Sequence, residues 1–348
     1  MRGRAAAAAL ILLAAALGAC GGGGDGDEER PLIGYNEIFI PNNDPNRLLA
    51  ESGASFVRVA INWSTAEPQP GRLDLTRADI VAEQLDDLGL KPLWVLTSAP
   101  CWAAEVPCSK PRPSVAPAAE HLDDYAEFAA AVAERYPDAL GIEVWNEPNI
   151  PNFWRPVPDA QRYRELLSLT ADRVHESGSE VPVVMAGPSP TTAEQVAEDP
   201  MKIQFAEFID EVMSGPDRPD VDAIGAHPYS LLQRDADPVE KTIELFDQAR
   251  DAAERAAPGI PVWVTEVGLT TAGRYAVGAP EQARGLERII GSFAGDGVPV
   301  IAIHRFFDQA NPPFEFEAGF GVVAADQATR KPSFCAVARA AGIADCET

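Results

Sequence analysis

Two glutamates stand where a carboxylate needs a reason. Glu147 follows the apolar run 140–145 within Trp145-Asn146-Glu147-Pro148-Asn149. Glu266 closes the run 262–267 within Thr265-Glu266-Val267-Gly268. Each motif goes on to a chain-breaking Pro or Gly. A charge at the end of a buried strand requires a partner or a task. Two such carboxylates facing each other can divide acid and base work at an acetal carbon. One, protonated, gives its proton to the departing oxygen; the other, ionised, attacks the carbon or activates water. Surroundings, not residue type, separate the two protonation states. Other run ends add Arg58 and Asn62-Trp63, Pro100-Cys101-Trp102, His227-Pro228-Tyr229 and His304-Arg305-Phe306-Phe307-Asp308. Trp102, Trp145 and Trp154 offer flat apolar faces of the kind on which sugar rings stack.

These groups need elements to hold them. Short apolar or β-branched runs cover 32–38, 56–63, 92–97, 140–145, 181–186, 221–226, 262–267 and 298–303, and they predict eight strands. Apolar residues at three-to-four spacing predict helices over 78–88, 122–136, 160–176, 203–213, 239–256, 282–293 and 333–341. Gly89, Gly178, Gly215 and Gly259 close helices before the next strand. Strict alternation of buried strand and helix implies a parallel sheet, and eight such units predict a single-domain α/β fold, a (β/α)8 TIM barrel. An open nucleotide-binding sheet would carry a Gly-rich loop after its first strand, and none is present. In a barrel of this kind the active site lies at the C-terminal ends of the strands, where both glutamates fall.

Length and charge bound the remaining choices. At 348 residues the chain needs no metal or cross-link to build a core. A formal charge of −25 excludes a nucleic-acid binder, which needs a basic face. Four His and five Cys leave little for a multi-metal site, so neither a metal nor a cofactor is expected. Arg2 and Arg4 precede the uncharged run 5–19, which is too short for a comfortable membrane span and fits a secretory signal. Leu17-Gly18-Ala19-Cys20 resembles a bacterial lipobox, with Cys20 as the lipidated residue. The Gly-rich acidic stretch behind it suits a flexible tether. Removing residues 1–19 leaves 26 basic against 53 acidic residues, a charge of −27. The expected organisation is a signal peptide over 1–19, a lipidated tether over 20–31 and the barrel over 32–348. The expected location is the bacterial envelope, outside the cytoplasm and lipid-anchored to the membrane. An exported chain meets an oxidising compartment, so Cys101, Cys108, Cys335 and Cys346 are candidates for disulfides. Three pairings are open. Proximity favours Cys101 with Cys108 and Cys335 with Cys346, and a zinc site is the rival reading.

The motifs resemble those of the clan A glycoside hydrolases. Trp145-Asn146-Glu147-Pro148-Asn149 followed by Phe153-Trp154 is similar to the acid/base signature of the clan. Its form is nearest to glycoside hydrolase family 39 and its endoglycosidase-like relatives, with family 5 cellulase-like enzymes second. Residues 183–190 resemble the strand 5 segment, Ala226-His227-Pro228-Tyr229 the strand 6 motif, and 263–268 the nucleophile strand. Residues 319–332 resemble the closing segment, so the likeness runs over about 32–342. It implies a retaining glycosidase with Glu147 as general acid/base and Glu266 as nucleophile. Asn146 would bind the sugar 2-hydroxyl and Arg58 would keep Glu266 ionised. Tyr229 would orient Glu266, and His227 would line the same pocket. Trp102, Trp154 and Phe306 are further candidate sugar contacts, and Arg305 and Asp308 sit at the right end of strand 8.

Departures from the pattern matter. Family 5 enzymes often place a Trp under the sugar from strand 8, where this chain has Phe306-Phe307. Strand 3 lacks the His often seen in family 5. Glu143, four residues before Glu147, shares its strand's inward face with Trp145 by alternation. It reads as a deep partner for a cation such as Arg58. Loop 101–117 is expected to wall one side of the cleft, and loops 271–280 and 309–319 the other. The expected partner is an oligo- or polysaccharide, bound by a monomer. A carbohydrate-binding lipoprotein on a catalytically degenerate barrel is the alternative.

Overall fold

Eight apolar runs become eight strands that pair in chain order and close on themselves. The computed structural model describes residues 30–347 apart from 38, 40, 41, 109–113 and 231–236. The expected signal, Cys20 and nearly all of the tether lie outside the described residues. The strands are β1 (Leu32–Asn36), β2 (Phe56–Asn62), β3 (Lys91–Thr97), β4 (Gly141–Val144), β5 (Val183–Met185), β6 (Ala223–Ala226), β7 (Val262–Val267) and β8 (Val300–Ile303). Each pairs in parallel with the next, and β8 pairs in parallel with β1. This is the (β/α)8 barrel.

The helices α1 (Arg47–Glu51), α2 (Trp63–Ala66), α3 (Thr76–Asp87), α4 (Leu122–Arg135) and α5 (Ala160–Glu176) follow strands β1 to β4. Then come α6 (Ala193–Glu198), α7 (Phe205–Met213), α8 (Pro238–Ala256), α9 (Ala279–Gly295) and α10 (Pro332–Ala340). Periodicity located seven of these. The others, α1, α2 and α6, have four to six residues, too few to show an apolar stripe. Gly89 (φ +71°) and Gly178 (φ +80°) end helices in the left-handed region, where a Cβ is penalised. Asp159 and Asp237 cap α5 and α8 by accepting from backbone N–H groups of the first turn. No helix among the described residues is long and apolar enough to cross a membrane.

Of the pairings left open, the structure selects Cys101–Cys108 and Cys335–Cys346, with Cα–Cα distances of 5.2 and 5.4 Å. Both zinc-ligand pairs of the rival reading are therefore spent.

The barrel interior is layered. Its floor is an apolar plug of Phe56, Leu93, Val184, Ala223, Trp263, Val300 and Ala302. Two residues further along β2 and β7 the inward positions are Arg58 and Thr265, and β4 adds Glu143 beside them, all buried. Strand alternation carries a polar layer directly above an apolar one. The site is built on that polar layer.

Candidate active site

Neither glutamate is aimed by simple alternation. At the end of β4, Trp145 takes φ +78° and Glu147 φ +43°, both uncommon for residues with a Cβ. The turn at Trp145 throws its indole outward, against Tyr125 of α4 and Trp154 at ring distances of 6.1 and 5.3 Å. Trp145 is thus held in this aromatic cluster while it still borders the cavity. Asn146 and Glu147 now both face the cavity. Backbone strain of this kind collects at functional sites, held by the packing around it. At the end of β7, pairing with β8 slips between Val264 and Val267. Thr265 points into the barrel, and the irregularity turns the next residue, Glu266, toward the cavity as well.

Arg58 connects the groups. Its Nε donates to Glu143 Oε2 (2.6 Å), Nη1 to Glu266 Oε1 (2.5 Å) and Asn36 Oδ1 (3.1 Å), and Nη2 to Asn146 Oδ1 (2.8 Å). The planar fork satisfies four acceptors from one buried side chain. With its oxygen taken, Asn146 presents its NH2 group to the cavity. Burial disfavours the Arg58 charge, but Glu143 and Glu266 outweigh it and hold the guanidinium ionised. Tyr229 donates its hydroxyl to Glu266 Oε2 at 2.9 Å. Burial pushes the Glu266 carboxyl up; His227 when it carries a charge, Arg58, then His304 and the Tyr229 hydroxyl, bring it down to about 2. Glu147 has no guanidinium in contact. Its Oε1 meets His227 Nδ1 at 3.1 Å. Burial raises its carboxyl above the ordinary value despite the opposing effect of His227.

His227 lies behind Glu147, with Nε2 3.0 Å from Thr265 Oγ1. Gly187, just past β5, closes on the ring. A Cβ there would stand 2.4 Å from His227 Cδ2 and 2.9 Å from Thr265 Oγ1. The cavity above measures about 810 Å³. Ile150, Asn152 and Phe153 line it on the β4 side. On the other side stand Tyr275, Phe314, Phe316 and Glu317 from the loops after β7 and β8.

The family model for Cellulase (glycosyl hydrolase family 5) matches residues 28–289. The chain belongs to glycosyl hydrolase family 5. Solved structures of similar fold come from families 5 and 39. A family 39 glycoside hydrolase from Bacteroides cellulosilyticus matches at TM-score 0.64 and 22% identity, over 91% of this chain and 64% of that one. An exo-β-1,4-mannosidase from an Opitutaceae bacterium matches at TM-score 0.65 and 18% identity, over 90% and 59%. A family 5 enzyme from Streptomyces cattleya, in complex with Manb1-4GlcNAc, matches at TM-score 0.66 and 19% identity, over 91% and 82%. The chain thus spans about three-fifths of the first two. These likenesses are of fold, and the relatives are glycosidases.

Within the family 5 barrel, several expected sugar contacts lie elsewhere. Trp154 is 2% exposed and packs between Trp145 and Tyr163. It braces the loop after β4 and is no platform. Trp102 lies outside the cavity lining; it donates to the Glu67 carbonyl (2.9 Å) and packs edge-on to Trp63. Phe306 is fully buried against Tyr35 and Phe307. Its apolar ring is drawn into the core once the chain turns off β8. His227 supports Glu147 from beneath and does not line the cavity. Asp308 is tied to Lys331 at 3.1 Å and accepts from the Gly321 N–H, so it knots the closing loop. Arg305 does line the cavity, paired with Glu37 at 3.6 Å. Glu143 is the deep partner of Arg58, as its position suggested.

The family 5 site also holds residues to which the sequence alone assigns no individual role. Asn36 ends β1 exactly as Asn62 ends β2, a polar residue closing an apolar run, and it donates to His304 Nδ1 at 2.9 Å. His304 takes the cavity-lining place at the end of β8, and its Nε2 is 3.3 Å from Glu317. The strand-end rule points to both residues. Phe314 and Phe316, stacked at 5.7 Å, lie in a loop with no periodic signal and could not be read this way.

Proposed function

We propose that this chain is a retaining glycosidase that cleaves O-glycosidic bonds of an oligo- or polysaccharide by double displacement. Glu266 attacks the anomeric carbon as the bond to the leaving oxygen breaks, and Glu147 gives that oxygen its proton. A covalent glycosyl-enzyme results. Glu147, now a carboxylate, takes a proton from water, whose oxygen attacks the same carbon and releases Glu266. The observation that carries this reading is two carboxyls in one cavity with different partners, Glu266 on the Arg58 guanidinium and the Tyr229 hydroxyl and Glu147 on the His227 ring. Asn146, with its amide oriented by Arg58, is placed to donate to a sugar hydroxyl. No step calls for a metal or organic cofactor.

The test is incubation of the barrel with a polysaccharide array and aryl glycosides, β-mannosides and β-xylosides first, with NMR of the earliest product. Release of the same anomer as the substrate supports the reading. The opposite anomer overturns double displacement. Glycan binding without turnover across the panel favours a binding protein on a degenerate barrel. The lipobox-like residues before Cys20 and the two disulfides support an envelope lipoprotein. Labelling of expressed protein with radioactive palmitate, lost in Cys20→Ala, is the expected result; label retained in that variant excludes lipidation there.

A further inference from the structure

Thr265 and Glu143 are wholly buried and face no substrate space. Double displacement gives them no task beyond Glu143's charge opposite Arg58. The bonds between them have a direction. Glu143 accepts from Arg58 Nε at one oxygen, and from the Gly187 N–H (3.1 Å) and the Thr265 hydroxyl (3.0 Å) at the other. A threonine hydroxyl has one hydrogen to give. With that hydrogen on Glu143, Thr265 Oγ1 can only accept in its 3.0 Å contact with His227 Nε2. His227 is therefore protonated at Nε2. A neutral imidazole carries a single N–H, so Nδ1 turns a lone pair toward Glu147 Oε1 at 3.1 Å. That contact is a hydrogen bond when the carboxyl supplies the proton.

We propose that Thr265 and Glu143 are positioning residues that lock His227 in its Nε2–H tautomer and so keep the resting proton of the site on Glu147. The proposal deepens the double-displacement reading and rests on it for the role of Glu147. The lock serves both halves of the reaction. In the first, the proton stands on the residue that must donate it. After donation, the Glu147 carboxylate faces a lone pair, which favours taking a proton back from the attacking water. The other charged groups around the pair are Glu266 and Arg58 on the cavity side and Glu143, 3.8 Å from His227 Nε2, beneath. His304 lies beyond Glu266, 3.9 Å from it. None of these supplies a proton to Nδ1. A cationic His227 is the same proton moved off Glu147, which leaves a charged carboxylate that burial disfavours.

The chain has four histidines, so 15N-histidine NMR of the intact protein is tractable, with His227 assigned by its loss in His227→Gln. The expected result is an unprotonated Nδ1 and a protonated Nε2 near neutral pH; a ring protonated at Nδ1 overturns the proposal. Thr265→Val removes the acceptor of Nε2 and frees the ring to place its proton on Nδ1, where it stabilises the Glu147 carboxylate. The basic limb of the kcat/KM profile then moves down by about 1 pH unit. The loss on phenyl glycosides, which need acid assistance, exceeds that on 2,4-dinitrophenyl glycosides about 10-fold. Thr265→Ser restores both. An unmoved basic limb with equal losses on the two leaving groups overturns the lock. If the wild type hydrolyses no glycoside, the glycosidase reading fails, and the ring-nitrogen measurement still decides the tautomer.

Discussion

The ends of β4 and β7 present the same side chain at the same depth and treat it in opposite ways. Glu147 and Glu266 are each 12% exposed. Burial alone would raise both. Glu266 has a guanidinium at 2.5 Å and a phenol at 2.9 Å, whereas Glu147 has only an imidazole at 3.1 Å. The carboxyl that meets a guanidinium is brought below its ordinary value, and the one that meets only an imidazole is left above it by burial. The difference lies in the residues behind the glutamates, and it sets two identical groups apart in the way the proposed acid and nucleophile require.

The sharpest way to break the comparison is to delete each carboxyl and ask what a small anion does in the space. Glu266→Ala is expected to lose on the order of 10⁴-fold or more in kcat, because no covalent intermediate can form. Glu147→Ala loses about 10²- to 10⁴-fold on substrates with poor leaving groups. Azide then separates the roles. In Glu266→Ala it attacks the substrate directly and gives a glycosyl azide of inverted configuration. In Glu147→Ala it attacks the glycosyl-enzyme and gives the retained form. Product NMR reads the result, and the same anomer from both variants removes the assigned division of labour.

Removing the cation comes next. Glu266 is held at about 2, below its ordinary 4.5. A depressed carboxyl contributes its stability fully above the unfolded value and loses it as pH falls toward the folded one. That window lies between about 4.5 and 2. Arg58→Met leaves Glu143 and Glu266 buried without a counter-charge and costs about 3–5 kcal/mol at neutral pH, read from urea unfolding. Burial of Glu266 then loses one of its main opponents, with His227, His304 and the Tyr229 hydroxyl left, and the acid limb of kcat/KM moves up. Arg58→Lys recovers little, since one ammonium cannot reach four acceptors. An unchanged acid limb in Arg58→Met would mean that Glu266 owes its ionisation to something else.

Much of this architecture was legible in advance, and the gaps have physical causes. All eight strands were found because parallel barrel strands are buried on both sides and read as unbroken apolar runs. Glu147, Glu266, Arg58 and Tyr229 stand out in the sequence because a charge or a hydroxyl at the end of such a run is out of place, and all four line one cavity. Side-chain direction was harder. Alternation put Trp145 beside Glu143, but a positive φ at Trp145 and the slip in β7 reset the pattern where it matters most. Aromatic residues misled for a related reason. Trp154 and Phe306 have the type that stacks on sugars, yet large rings next to a core are drawn into it, as their 2% and 0% exposures show. Residue type gives chemistry; only packing says whether a solvent-facing surface remains. His304 shows the converse, a residue named only as part of a strand end, whose position there places it on the cavity.

The smallest test concerns the phenol that distinguishes the β7 end. Tyr229→Phe keeps the ring, and with it the edge contacts to His304 at 5.9 Å and Phe320 at 6.0 Å. Only the hydrogen bond to Glu266 is lost. A bond to a charged group is worth roughly 1.5–3 kcal/mol, and part of that returns if water takes its place. The Glu266 carboxyl is then expected to rise by about 1 unit. The acid limb of kcat/KM should move up by that amount, with the basic limb, which reports Glu147, left where it is. A shift confined to one limb would show that the two ends are tuned by separate neighbours. Movement of both limbs together would show that the polar layer couples them, with Arg58 and Glu143 as the link.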